Sequence, residues 1–258
     1  PPPPRLWEDL SLSAWPSLRH PRLQLLLPSF PASHRSFFLD AFPFPDPAAG
    51  TPSPPSADPP AVLISAVDLF HDGDHLFSRV VETDARDPWF LGSPFRVDAL
   101  DRKEPRGDRA AASAGISPGD LALSWVVIDP ARRRAVNLSS RRPVSVERHW
   151  YTGEIQVRFA AVLGGGEAAV ASVVVTYGEG AAQPREVSLT VEDMDGMCLN
   201  GRESLGVLLG ALDGGRKGWG EEGEAAARRR YDGYAARKQE RKEGRIRREG
   251  RLDMCCIA

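Results

Sequence analysis

The sequence predicts a mainly β protein of the α+β type: an antiparallel β-sandwich with one packed helix, a short helix at the N-terminus and a long basic helix at the C-terminus. Three observations carry this expectation. Leu121–Ile128 is a near-continuous apolar run, as in a strand covered on both faces. Around it, runs such as Ile155-Val157-Phe159 and Val187-Leu189-Val191 alternate with polar residues and are separated by turn residues, which reads as antiparallel hairpins. Finally, Leu205, Leu208, Leu209 and Leu212 recur at helical spacing in Arg202–Leu212, so that this helix presents one face to a sheet.

Taken in order, Arg5–Ser13 places Leu6, Trp7 and Leu10 on one helical face, and residues 24–42 read as short helical turns broken by Pro28 and Pro31. The segment 43–60 is a Pro/Ser/Ala linker too poor in apolar residues to fold. It divides an N-terminal part, residues 1–42, from a β-rich domain, residues 61–215, with a basic tail over 216–258. The β domain opens on Ala61–Phe70. His71-Asp72-Gly73-Asp74-His75 then fits a hairpin turn better than a metal site, because glycine takes a positive φ cheaply and no further His or Cys lies nearby. Phe95 and Val97 point inward from a strand, and 103–119 is a polar Gly/Ala/Ser-rich loop.

After the apolar run, Asp129-Pro130 forces a turn, Ala135–Leu138 restarts an extended segment, and Val144, Val146 and Trp150 alternate with polar neighbours. Ala168–Tyr177 and Arg185–Glu192 complete the strands, and Asn200-Gly201 turns the chain into the leucine-striped helix. Residues 224–251 contain 11 Lys/Arg against 5 Asp/Glu, so this stretch carries +6 and the remainder −8. Its few apolar residues, Tyr231, Tyr234, Ile246 and scattered alanines, make no face wide enough to dock.

No catalytic set emerges. Gly115-Ile116-Ser117-Pro118-Gly119 fits the hydrolase nucleophile elbow in letters only: no strand precedes it, no helix follows it, and Pro118 lacks the N–H that an oxyanion hole needs. Glu192-Asp193-Met194-Asp195-Gly196 lacks the third acidic position and the twelfth-position glutamate of a calcium loop. No metal and no cofactor are expected. Arg141, Arg142, Arg148 and Trp150 set basic and aromatic groups close together around the central hairpins and are the candidate partner-binding residues. The mixed Arg/Glu pattern of the tail argues against nucleic acid, which needs a net positive stripe. Three cysteines, two of them adjacent, favour a reducing compartment, cytoplasm or nucleus. Cys255-Cys256-Ile257-Ala258 formally fits a prenylation box at Cys255.

The stretch WVVIDPARRRAVNLSSRRPVSVERHWYTGEIQVRFA, with SPFRVDALD before it and REVSLTVEDMDGMCLNGRESL after it, resembles a small family of plant F-box proteins. In that family an F-box is followed by a β domain and a basic C-terminal helix. Leu6, Trp7 and Leu10 match the pattern on which the last F-box helix closes, which makes them the adaptor-binding remnant of an F-box whose earlier helices lie upstream of Pro1. By itself the chain is then expected to hold the adaptor weakly or not at all. The resemblance implies a non-catalytic, substrate-recognition subunit of an SCF-type cullin ubiquitin ligase, in which the F-box holds adaptor and cullin and the β domain holds a protein target. Members of the family often continue into a hydrophobic tail, which would bring the C-terminus to a membrane and weaken the prenylation reading. A jelly roll of similar size, as in plant F-box proteins with phloem-lectin domains, is the fold analogy, although no lectin motif matches. The alternative function is a carbohydrate- or lipid-binding β module without a ligase role.

Overall fold

A computed structural model describes residues 4–45, 59–102, 116–164, 168–181, 183–214, 217–218 and 220–255. Most of the expected linker and polar loop, two glycines of Gly164-Gly165-Gly166, Gly115 of the elbow-like motif and the last three residues lie outside them. The chain runs α1 (Pro4–Ala14), a 3-10 turn (Pro16–Arg19), α2 (Pro21–Leu26), α3 (His34–Ala41) and β1 (Phe44–Pro45). Next come β2 (Val62–His71), β3 (Asp74–Asp84), α4 (Pro88–Gly92), β4 (Arg96–Leu100), β5 (Leu121–Asp129), β6 (Arg134–Asn137) and β7 (Ser145–Arg148). The chain continues through β8 (Ile155–Leu163), β9 (Ala169–Tyr177), β10 (Pro184–Glu192), α5 (Gly201–Asp213), β11 (Lys217–Gly218) and α6 (Gly220–Cys255).

Two antiparallel sheets face each other, one ordered β3-β2-β5-β6 and the other β4-β10-β9-β8-β7. The sandwich expected from the sequence is therefore present. The central stretch Leu121–Phe159 proves to be the crossing between the sheets: β5 and β6 belong to the first, β7 and β8 to the second. The β2–β3 hairpin closes on Asp72 (φ 51°) and Gly73 (φ 90°), the two positive-φ positions that this tight turn requires.

Side-chain alternation sorts the residues onto faces. The inner row of β2 and β5 (Leu63, Val67, Leu69, Leu123, Trp125, Val127) meets that of β8, β9 and β10 (Val157, Phe159, Val173, Val175, Val187, Leu189). Leu205, Leu208 and Leu212 of α5 join this core, as their spacing predicts. Helix α5 starts on a capping box in which the Asn200 side chain accepts from Glu203 N–H and Glu203 reaches back to Asn200 N–H. Gly201 is required there, because a Cβ would stand 2.1 Å from the carbonyl oxygen of Phe90.

Both ends of the chain pack on outer faces of the sandwich, the C-terminal one contrary to expectation. The N-terminal helices are packed against the β domain: Trp15, Leu18, Leu23, Leu27, Phe30 and Phe37 cover Ile64, Ala66, Val126, Ile128 and Ala135 on the outer face of the first sheet. This explains why β5 is apolar on both faces. The basic tail also docks, contrary to its composition. Tyr234 of α6, 3% exposed, sits on Ala160, Val162 and Val170, the outer face of β8 and β9. Small residues there let one aromatic ring seat closely. Phe44-Pro45, in the expected linker, pairs with Lys217-Gly218.

Candidate interaction surfaces

Helix α1 carries the predicted adaptor-binding residues, and the structure separates them. Leu6 and Leu10 are 42% and 41% exposed, whereas the Trp7 ring turns inward onto Phe38 at 5.5 Å. Behind α1 the chain is fixed to the sheet by buried polar contacts. Trp15 Nε1 donates to Ser124 Oγ (2.8 Å), and Ser17 donates from both N–H (2.8 Å) and Oγ (2.6 Å) to the Asp68 carboxylate. Ser78 Oγ also donates to Asp68 and is itself 2.6 Å from His75 Nε2. Burial pushes the Asp68 carboxyl above the usual carboxylate range, and the hydrogen bonds from Ser17 and Ser78 offset only part of that. Arg134 to Asp40 (2.8 Å) and Arg22 to Glu82 (2.9 Å) add two outer ties.

Between α1, α3, the outer side of β2 and β5 and the start of α6 lies a groove of about 580 Å³. Its walls are mixed: Leu10, Trp15, Phe38 and Phe70 supply apolar surface, while Asp120, Arg141, Arg142, Glu221 and Glu224 bring charges of both signs. The Arg142 guanidinium donates to the Asp120 carbonyl at 3.2 Å.

Arg148 and Trp150 stand apart from this groove, at the far end of β7. Arg148 pairs with Glu179 at 2.8 Å, both side chains being about two-thirds exposed (63% and 69%), a geometry that contributes little stability. Trp150 lies in the turn after β7 rather than on the strand, so it does not continue the alternation of Val144 and Val146. It is 89% exposed and forms an edge contact with Tyr151 (79% exposed) at 5.6 Å, and the His149 ring lies roughly parallel to it at 6.5 Å. The four candidate partner-binding residues thus form two sites. The arginines that precede them have structural partners or roles: Arg132 pairs with Asp129, Arg134 pairs with Asp40, and Arg133 holds a positive φ (56°) in the β5–β6 turn. A second charged cluster joins β4, β8 and β10 through Arg96, Arg102, Arg185, Glu154 and Glu186. Partial burial there works against the Glu186 charge, but hydrogen bonds from Arg96 and Arg102 hold its carboxyl below the usual range.

The seat of α6 is the feature that sequence reasoning missed. Tyr234 Oη donates to the Asp193 carbonyl, Lys238 pairs with Glu192 at 2.9 Å, and Arg228 donates to the carbonyls of Pro143 (2.9 Å) and Val144 (3.3 Å). Burial, with Glu192 and Asp193 nearby, raises the Tyr234 phenol, which stays a neutral donor. One signal lies in the strands: Ala160, Val162 and Val170 make the outer positions of β8 and β9 apolar, and such a face needs a cover. Asp193–Met197 closes as a hydrogen-bonded turn, with the Asp193 carboxylate accepting from Asp195 and Met197 N–H. Ser117 leads into a 3-10 turn and then β5, without the helix of a nucleophile elbow. Among the described residues, no helix is long and apolar enough to cross a membrane. Cys255 is the last residue of α6, and Cys256–Ala258 lie outside the described residues.

Three proteins of Arabidopsis thaliana are similar along almost the whole chain. "F-box protein At2g27310" is 40% identical over 276 residues, spanning 98% of this chain and 80% of its own length. "F-box protein At3g44326" is 38% identical over 264 residues, covering 94% of this chain and 72% of its own. "Probable F-box protein At2g36090" is 40% identical over 259 residues, covering 98% and 76%. No protein-family model matches the chain. No solved structure matches it either.

Proposed function

Because this chain belongs to the plant F-box proteins, we propose that it is the substrate-recognition subunit of an SCF-type ubiquitin ligase, in which the F-box holds the adaptor and the β-sandwich holds the target. The similarity along almost the whole of this chain to three proteins named for the F-box carries this reading. The geometry supports it. Helix α1 ends the segment that resembles an F-box, and it leaves Leu6 and Leu10 open to a partner while Trp7 packs on Phe38 of α3 and Trp15, just after the helix, ties the chain to the sheet. The subunit has no catalytic role here; it positions one protein relative to another.

The test is capture of the adaptor by the full-length protein. Replacing Leu6 and Leu10 together by aspartate adds two charges to a surface that would become apolar contact area. Capture is expected to fall about tenfold or more. Both side chains are substantially exposed, so thermal stability should stay close to that of the parent protein. Undiminished capture by the double variant would remove α1 from the adaptor contact.

A further inference from the structure

The two sheets have four edges, and among the described residues three of them are closed. On one side of the sandwich β3 and β4 lie against each other, and on the other α3 covers β6, whose Ala135 N–H donates to the Asp40 carboxylate. The fourth edge is β7. Its pairing with β8 aligns Ser145 with Arg158, Val146 with Val157, Glu147 with Gln156 and Arg148 with Ile155. His149 N–H donates to Glu154 O at 2.8 Å, which marks that pair as hydrogen-bonded. In an antiparallel ladder such pairs alternate, so Glu147 and Ser145 point their backbone groups at β8. The N–H and C=O of Val146 and Arg148 therefore point away from the sheet, and no backbone bond from another described element reaches them.

Natural edges are blunted by short strands and charge, and β7 has both features. The hairpin tip beyond it is the opposite of blunted. Val146 is 47% exposed, and Trp150 and Tyr151 lie open at that tip. Aromatic residues beside an arginine are the composition of interaction hot spots.

We propose that β7 is the target-docking edge, and that its occupant is an extended, acidic segment of a partner protein that adds to the sheet as an antiparallel strand. Every strand pair among the described residues is antiparallel, which sets the direction. Val146 and Arg148 would bond the incoming backbone, and residues directly opposite them share their face. An apolar residue opposite Val146 extends the inner row begun by Val157, which is fully buried. A carboxylate opposite Arg148 replaces the weak, exposed pair with Glu179. In an antiparallel strand these two residues read acidic-x-apolar. The residue two positions before the acidic one then comes level with Trp150. The assignment rests on the β-sandwich being the target-binding half of the protein.

The experiment selects peptides from a random twelve-residue display library on the whole chain. Affinities are then measured by fluorescence anisotropy. The acidic-x-apolar pattern is expected among the selected peptides. Val146→Pro removes an outward N–H without touching the ladder, and it should weaken selected peptides at least about tenfold. Arg148→Glu should do the same for the acidic ones, and this exposed site carries the test if Val146→Pro does not fold. Absence of selected peptides, absence of the acidic residue, or undiminished binding to both variants would overturn the proposal. Adaptor capture is read separately. Peptide binding that persists without adaptor capture leaves this edge site standing and removes the ligase reading.

Discussion

Asp68 is a carboxyl with no exposed surface, held by hydrogen bonds from the neutral Ser17 and Ser78, with His75 its charged neighbour beyond Ser78. A buried carboxylate costs several kcal/mol unless well paired, which is why its pKa is raised. The neutral form fits the folded protein better, so Asp68 contributes its stability in full below its unfolded-state pKa. That contribution is lost as pH rises through the raised folded value. Asp68→Asn keeps the shape and acceptor while removing the titration. Melting temperatures measured from pH 4 to pH 8 should show the parent protein losing ground to this variant as pH rises. Parallel profiles for the two proteins would refute the assignment. No local pattern foretells this group. Asp68 reads as one polar position in an apolar strand, and its partner Ser17 lies 51 residues away.

The elements most legible in the sequence were those specified by their own periodicity. The Asp-Gly hairpin, the doubly covered strand Leu121–Ile128 and the leucine stripe of α5 needed no partner to be recognised. The long basic helix is legible in its sequence but its docking is not, because that docking is concentrated in one ring, Tyr234, flanked by Lys238 and Arg228, and a single aromatic leaves no stripe. The complementary half of the signal lay in β8 and β9. The same concentration makes the helix testable. Tyr234→Ala removes the buried ring and its bond to Asp193, while the sandwich core lies on the other face of the sheet. The expected result is local release of α6. Trypsin cleavage at its many arginines should accelerate about tenfold or more, with the global unfolding midpoint little changed. A drop in global stability as large as a core truncation, about 3–5 kcal/mol, would show instead that α6 belongs to the cooperative core.

At the scale of the whole molecule, the informative feature is the docking of residues 1–42 on the first sheet. The Pro/Ser/Ala composition of residues 43–60 marks a boundary, and composition alone does not say how the helices before it sit on the sheet. They are held there by Trp15 on Ser124, Ser17 on Asp68, Arg134 on Asp40 and the ring cluster of Trp15, Phe30, Phe37 and Phe38. The proposed adaptor and target contacts would need a fixed relation to each other. Buried polar bonds between α1's neighbourhood and the first sheet supply one, since a bond broken there leaves an unpaired group in a dry interior. The helices and the sandwich should then unfold together. Urea denaturation followed by tryptophan fluorescence and by far-ultraviolet circular dichroism is expected to give coincident transitions. Trp15→Ala should move both curves together, lowering stability by about 3–5 kcal/mol. If Trp15→Ala instead split the fluorescence curve from the dichroism curve, residues 1–42 would be a separately folding unit, and the rigid link between the proposed adaptor and target surfaces would be lost.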